Sequence, residues 1–78
     1  MPTVLIIKKY RFFFFSNERL EPKHIHVDYD NNYAKYFLES LSLVKSKGFK
    51  AHELTAIHKM IEENKNYFLE KWDEHFKS

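Results

Sequence analysis

His24-Ile25-His26 carries the residue types best suited to chemistry in this chain. Two imidazoles separated by one residue on an extended segment leave the same face of a strand. Continuing the alternation adds Asp28 and Asp30 to that face and gives Ile25, Val27 and Tyr29 to the other. As metal ligands, His24 and His26 would offer two nitrogens to a divalent ion, with Glu18, Asp28 or a residue of a neighbouring strand as the third donor. Zinc takes three or four protein ligands, so the pair alone is incomplete. As acid and base in metal-independent RNA cleavage, the pair would need a cation for the developing phosphorane charge, and Arg11, Lys35 and Tyr36 are of suitable types. A third use is structural, with the imidazoles lining a groove and bonded to backbone or to a partner. The residues alone leave all three open. Other cofactors are not expected: cysteine is absent, and a single glycine, Gly48, cannot build a phosphate-cradling loop.

The elements that must position this pair are legible in outline. From Thr3 to about Leu38 the chain is rich in Val, Ile, Phe and Tyr between polar turns, which predicts strands at 4–9, 11–16, 24–29 and 33–38. Lys9-Tyr10 is the expected first link. Ser16-Asn17-Glu18 with Pro22 reads as turn punctuation, and Asp30-Asn31-Asn32 as a tight turn whose Asn residues accept positive φ. With the third and fourth strands joined across Asn31 and Asn32, Lys35 falls opposite Asp28 or Val27, and one residue of register decides which face it shares. Residues 39–47 favour a fifth short strand through Leu41 and Leu43. After Gly48, the spacing of Leu54, Ile57, Ile61, Phe68, Trp72 and Phe76 predicts a helix over 51–77. The fold expected is therefore α+β, one domain over 1–78, with a four- or five-stranded antiparallel meander in 1–47 packed against one long C-terminal helix. Such a helix would run about 40 Å against strands of roughly 20 Å. It must either kink at the polar string around Asn64 and Lys65, or project a second half bearing Phe68, Trp72 and Phe76. Asn64 itself would pair with sheet backbone or recognise a ligand. His52, His58 and His75 lack one-turn spacing and read as surface residues.

Composition adds a demand for cover. Eight Phe, five Tyr and one Trp sit in 78 residues, and each can bury on the order of 150–250 Å². Phe12 to Phe15 show no alternation, so apolar side chains leave both faces of their strand, and the helix covers only one. A second copy or a small partner protein is the expected second cover. Net charge is +2, divided between nine Lys/Arg against five Asp/Glu in residues 1–50 (+4) and four against six in 51–78 (−2). This mild asymmetry leaves RNA or DNA as an alternative partner. The first apolar run, Val4 to Ile7, is too short for a leader or a membrane span, so a soluble, cytoplasmic protein is expected.

Met1-Pro2-Thr3-Val4-Leu5, Tyr10-Arg11-Phe12, Ser16-Asn17-Glu18, Pro22, His24-x-His26-Val27 and Ala34-Lys35-Tyr36-Phe37-Leu38 together resemble a small bacterial family, domain-of-unknown-function family 4160. Gly48-Phe49, Glu53-Leu54, Ile57, Glu63-Asn64 and Trp72 continue the resemblance. The chain departs from the family's usual look at Phe15, where Tyr is common, at Lys50, where Ser often caps the helix, and at Lys8-Lys9, which replace a glycine-bearing turn. Loss of the Ser cap should cost about 1 kcal/mol. No established activity comes with the resemblance. What it implies is a short protein often encoded beside another small one, in the manner of a toxin–antitoxin pair. The expected function is a component of such a module acting through protein contacts. Glu18, Tyr36, Asn64, Phe68, Trp72 and Phe76 are the candidate binding residues, with the aromatic sheet as a further docking element. The alternatives are a small ribonuclease or metal-assisted hydrolase using His24 and His26 with Lys35 and Arg11, and a nucleic-acid-binding regulator.

Overall fold

The computed structural model describes residues 3–15 and 20–76. Five strands, β1 (Thr3–Ile7), β2 (Tyr10–Phe13), β3 (His24–Tyr29), β4 (Asn32–Phe37) and β5 (Leu43–Lys47), form one antiparallel sheet in sequence order. Two helices follow, α1 (Ala51–Glu63) and α2 (Lys65–His75). The α+β meander expected from the sequence is present with its fifth strand. Among the described residues, no helix is long and apolar enough to cross a membrane.

Three of the reversals turn on one left-handed residue each: Lys8 (φ 56°) between β1 and β2, Asp30 (φ 57°) between β3 and β4, and Leu41 (φ 62°) before β5. Pairing of Ile7 with Tyr10 makes Lys8-Lys9 the first link, one residue earlier than Lys9-Tyr10. Pairing of Tyr29 with Asn32 likewise moves the second turn to Asp30-Asn31, because the short Asp30 side chain tolerates the left-handed backbone and frees Asn32 to enter β4. That shift sets the register of the whole hairpin. Lys35 falls opposite His26, rather than opposite Asp28 or Val27.

The single long helix does not form. Asn64 (φ −114°, ψ 16°) ends α1 and begins α2. Its backbone N–H reaches the carbonyls of Met60 and Ile61, and its side-chain Nδ2 donates to the Met60 carbonyl at 2.8 Å. The Asn64 amide thus closes the last turn of α1 rather than pairing with the sheet backbone. The break shortens α1 to 13 residues, about 20 Å, which matches a strand in length. It also turns α2 back onto the sheet, so Phe68 and Trp72 are 0% and 4% exposed and do not project. The core lies between the helices and one sheet face: Phe12, Phe14, Ile25, Val27, Ala34, Tyr36 and Leu38 meet Ile57, Met60, Ile61, Phe68 and Trp72.

Lys50 opens α1 in an extended conformation. Its ammonium has no lone pair to offer an N-terminal N–H, so the cap rests on the other half of a capping box, in which the Glu53 carboxylate accepts from the Lys50 N–H at 3.0 Å. That hydrogen bond, and after it the attraction of Lys9, hold the Glu53 carboxyl below the usual carboxylate range. A depressed folded pKa stabilises above the unfolded value, and the contribution is lost as pH falls through the folded one. Glu53→Gln keeps a capping acceptor without the charge, and is expected to flatten the acid limb of stability in urea unfolding from about pH 6 to about pH 3.

Gly48 precedes α1 with φ 88°, and a Cβ there would collide with the Asn32 side-chain amide. Gly48→Ala is therefore expected to lower stability by about 2 kcal/mol at unchanged denaturant m-value, combining left-handed strain with displacement of Asn32.

Candidate functional site

The sheet face away from the helices holds the histidines. Alternation along β3 puts His24, His26 and Asp28 there, and pairing fills the neighbouring rows. Arg11 lies opposite Asp28 and Phe13 opposite His26 on β2, while Tyr33, Lys35 and Phe37 lie opposite Asp28, His26 and His24 on β4. Arg11 engages Asp28 through both ends of the carboxylate, Nε to Oδ1 at 3.1 Å and Nη2 to Oδ2 at 2.8 Å. This bidentate bond raises the Arg11 pKa, against a smaller opposing effect of desolvation. The guanidinium carbon lies 4.4 Å from the Phe13 ring centroid, so the cation roofs an apolar ring.

Around His26 the rings form a cage. Phe13 and Tyr33 stack on it at 5.3 and 5.7 Å between centroids, while Phe15 and His24 meet it edge-on at 4.4 and 4.9 Å. His26 Nδ1 and the Tyr33 hydroxyl are 2.6 Å apart. His24 Nδ1 lies 2.8 Å from the Pro22 carbonyl, which can only accept, so the His24 Nδ1 is protonated and donates. In the neutral ring its Nε2 then carries the lone pair. At the start of β3, the His24 ring also lies 5.0 Å from that of Trp72 on α2. The result is two imidazoles almost sealed from solvent, at 0% and 2% exposure.

The residue profile of the family described as Domain of unknown function (DUF4160) matches residues 10–73, which include the whole cage and both helices almost to their end. The chain belongs to this family. Comparison of this DUF4160 protein with curated proteins and with solved structures gave no match.

Several expected site residues are brought together, and others are not. Arg11, His24, His26 and Lys35 share the open face, with Lys35 Nζ 3.3 Å from Glu21 Oε1. Tyr36 does not join them: it points to the helix side, is 2% exposed, and donates to the Leu54 carbonyl at 3.1 Å. Burial there raises the Tyr36 pKa. Phe68 packs on Phe12, and Trp72 on Phe14 and Phe76, so these residues are core rather than docking surface. Asn64 serves the helix break. Glu18 lies outside the described residues. Among the described residues, no group of three His, Asp or Glu side chains is placed to hold a metal ion, and Asp28, the expected third donor, is committed to Arg11. Tyr33, Phe13 and Phe15 are the residues that sequence reasoning missed. Strand parity was the signal, since Tyr33 alternates with Lys35, and Phe13 and Phe15 alternate with Arg11.

Tyr33→Phe removes the hydroxyl from His26 while keeping the stacked ring. It is expected to lower stability by about 1 kcal/mol and to move the ¹⁵N resonance of His26 Nδ1 with little change at His24.

Proposed function

We propose that this chain is the binding component of a toxin–antitoxin-like pair of small proteins, and that it acts by docking rather than by turnover. The observation that carries the reading is the burial of both imidazoles, at 0% and 2% exposure. A general acid or base must come within hydrogen-bond reach of the reacting group, whereas here the histidine Nδ1 atoms are engaged by Pro22 and Tyr33 and the rings are enclosed by aromatic neighbours. These contacts suit a stiff platform. Its accessible rim includes Arg11 and Tyr33, residue types enriched where proteins dock, with Asp28 and Lys35 beside them.

A second reading, a small ribonuclease, has one observation in its favour: the register sets the Lys35 cation opposite His26, where phosphorane charge could be stabilised. The two are separated by co-expression with the product of the adjacent gene, together with RNA turnover assays with and without chelator. Docking predicts a copurifying complex and no turnover that depends on Lys35 or the histidines. Turnover abolished both by Lys35→Gln, a partly exposed change that leaves the core intact, and by His24→Ala/His26→Ala would establish the enzyme and remove the proposal.

A further inference from the structure

β5 ends the sheet order, with β4 on one side and no described strand on the other. All five of its residues are exposed. Its two faces differ sharply in chemistry. Lys45 and Lys47 lie opposite Lys35 and Tyr33 and so stand on the open face, and among the described residues neither has a carboxylate within ion-pair distance. An irregularity between Lys35 and Tyr36 then shifts the register by one residue, so that Leu43 opposes Tyr36 on the helix side. There Leu43 joins Tyr36, Leu41, Leu54, Thr55 and His58 in lining a groove of about 340 Å³ between β5 and α1. The groove is shallow and open, which suits a side chain presented on a strand better than an enclosed free ligand. Leu43 and Val44 remain 44% and 42% exposed beside it.

A strand laid along this edge would meet cations with one set of alternate residues and the apolar groove with the other. A second copy of β5 is a poor occupant, because it would bring Lys45 and Lys47 against their own kind. We propose that the outer edge of β5 receives an extended segment of a partner protein in which acidic and apolar residues alternate, adding a sixth strand to the sheet. This rests on the docking reading above and names the chemistry of the docked segment. Main-chain hydrogen bonds to the free edge hold the segment, the acids pair with Lys45 and Lys47, and an apolar side chain enters the groove.

The test uses the full chain and a fluorescein-labelled peptide of roughly nine residues, alternating Glu and Val, followed by fluorescence anisotropy. Saturable binding is expected, weakened at least about tenfold by Lys45→Glu/Lys47→Glu, surface changes whose folding is checked by circular dichroism. N-methylation of alternate peptide residues should abolish binding in one of the two possible sets, as strand addition requires. Binding that survives both charge reversals, or both N-methylated sets, would overturn the proposal. So would equal affinity for a single-stranded oligonucleotide of matched charge, which would mark a polyanion site instead. If the peptide binds as described while no neighbouring gene product copurifies, this inference stands and the toxin–antitoxin reading falls. If the neighbour copurifies undiminished with the charge-reversed chain, the reverse holds.

Discussion

Keeping the second face of the sheet dry without a second layer of helices is the constraint on which this structure depends. β2 carries Phe12, Phe13 and, just beyond its end, Phe14, with apolar rings leaving both sides, and the helices serve only Phe12 and Phe14. Phe13 is nevertheless 2% exposed. Burying such a ring is worth about 1.5–3 kcal/mol, and its cover comes from side chains of the sheet itself: the Arg11 guanidinium above it, the His26 imidazole beside it, and Phe15 next in the alternation. All three covering groups are flat, and the polar ones bond through their edges. Arg11 sends its edge to Asp28, His26 to Tyr33, and His24 to Pro22. An aliphatic residue in those places would leave an apolar surface in water, and a longer charged one would not stack.

The histidines follow from that constraint. An imidazole fills space like a small aromatic ring yet bonds in its own plane, so it can sit beneath a polar rim where Leu or Phe would present only hydrocarbon. The residue types that first suggest acid–base or metal chemistry are thus also those best able to seal an unlayered sheet face. Their nearly complete burial, together with the engagement of Asp28 by Arg11, places the accessible chemistry of this face at its margin.

How much of this was legible in the sequence differs between elements. The H-x-H spacing fixed a shared face, the turn residues gave the meander, and the polar string around Asn64 marked where the helix had to bend. Register was harder to read, because Asp30-Asn31 and Asn31-Asn32 are both competent as a two-residue turn, and the choice between them slides every residue of β4 two places along β3 without changing its face. That choice set Lys35 opposite His26 instead of Asp28, on the histidine face in either case, with Tyr36 on the helix side. The burial of Phe68 and Trp72 depended on which way the chain leaves Asn64, a long-range outcome of packing on Phe12 and Phe14. Phe13 and Phe15 were hidden by the unbroken Phe run, whose lack of hydrophobic alternation concealed an alternation of surroundings.

The order of the strands has a kinetic consequence. Because β1 to β5 lie side by side in sequence order, each strand finds its partner one turn or short loop away, and the entropy of loop closure at each step is small. Such an arrangement has low contact order and favours rapid assembly of the sheet. The long closure in the chain is the return of α2 to the beginning of the sheet, where Phe68 meets Phe12 and Trp72 meets Phe14 and His24. That contact joins residues from near the two ends of the chain, so it carries the largest closure entropy in the fold, and the ring of His24 is enclosed only when that closure is made.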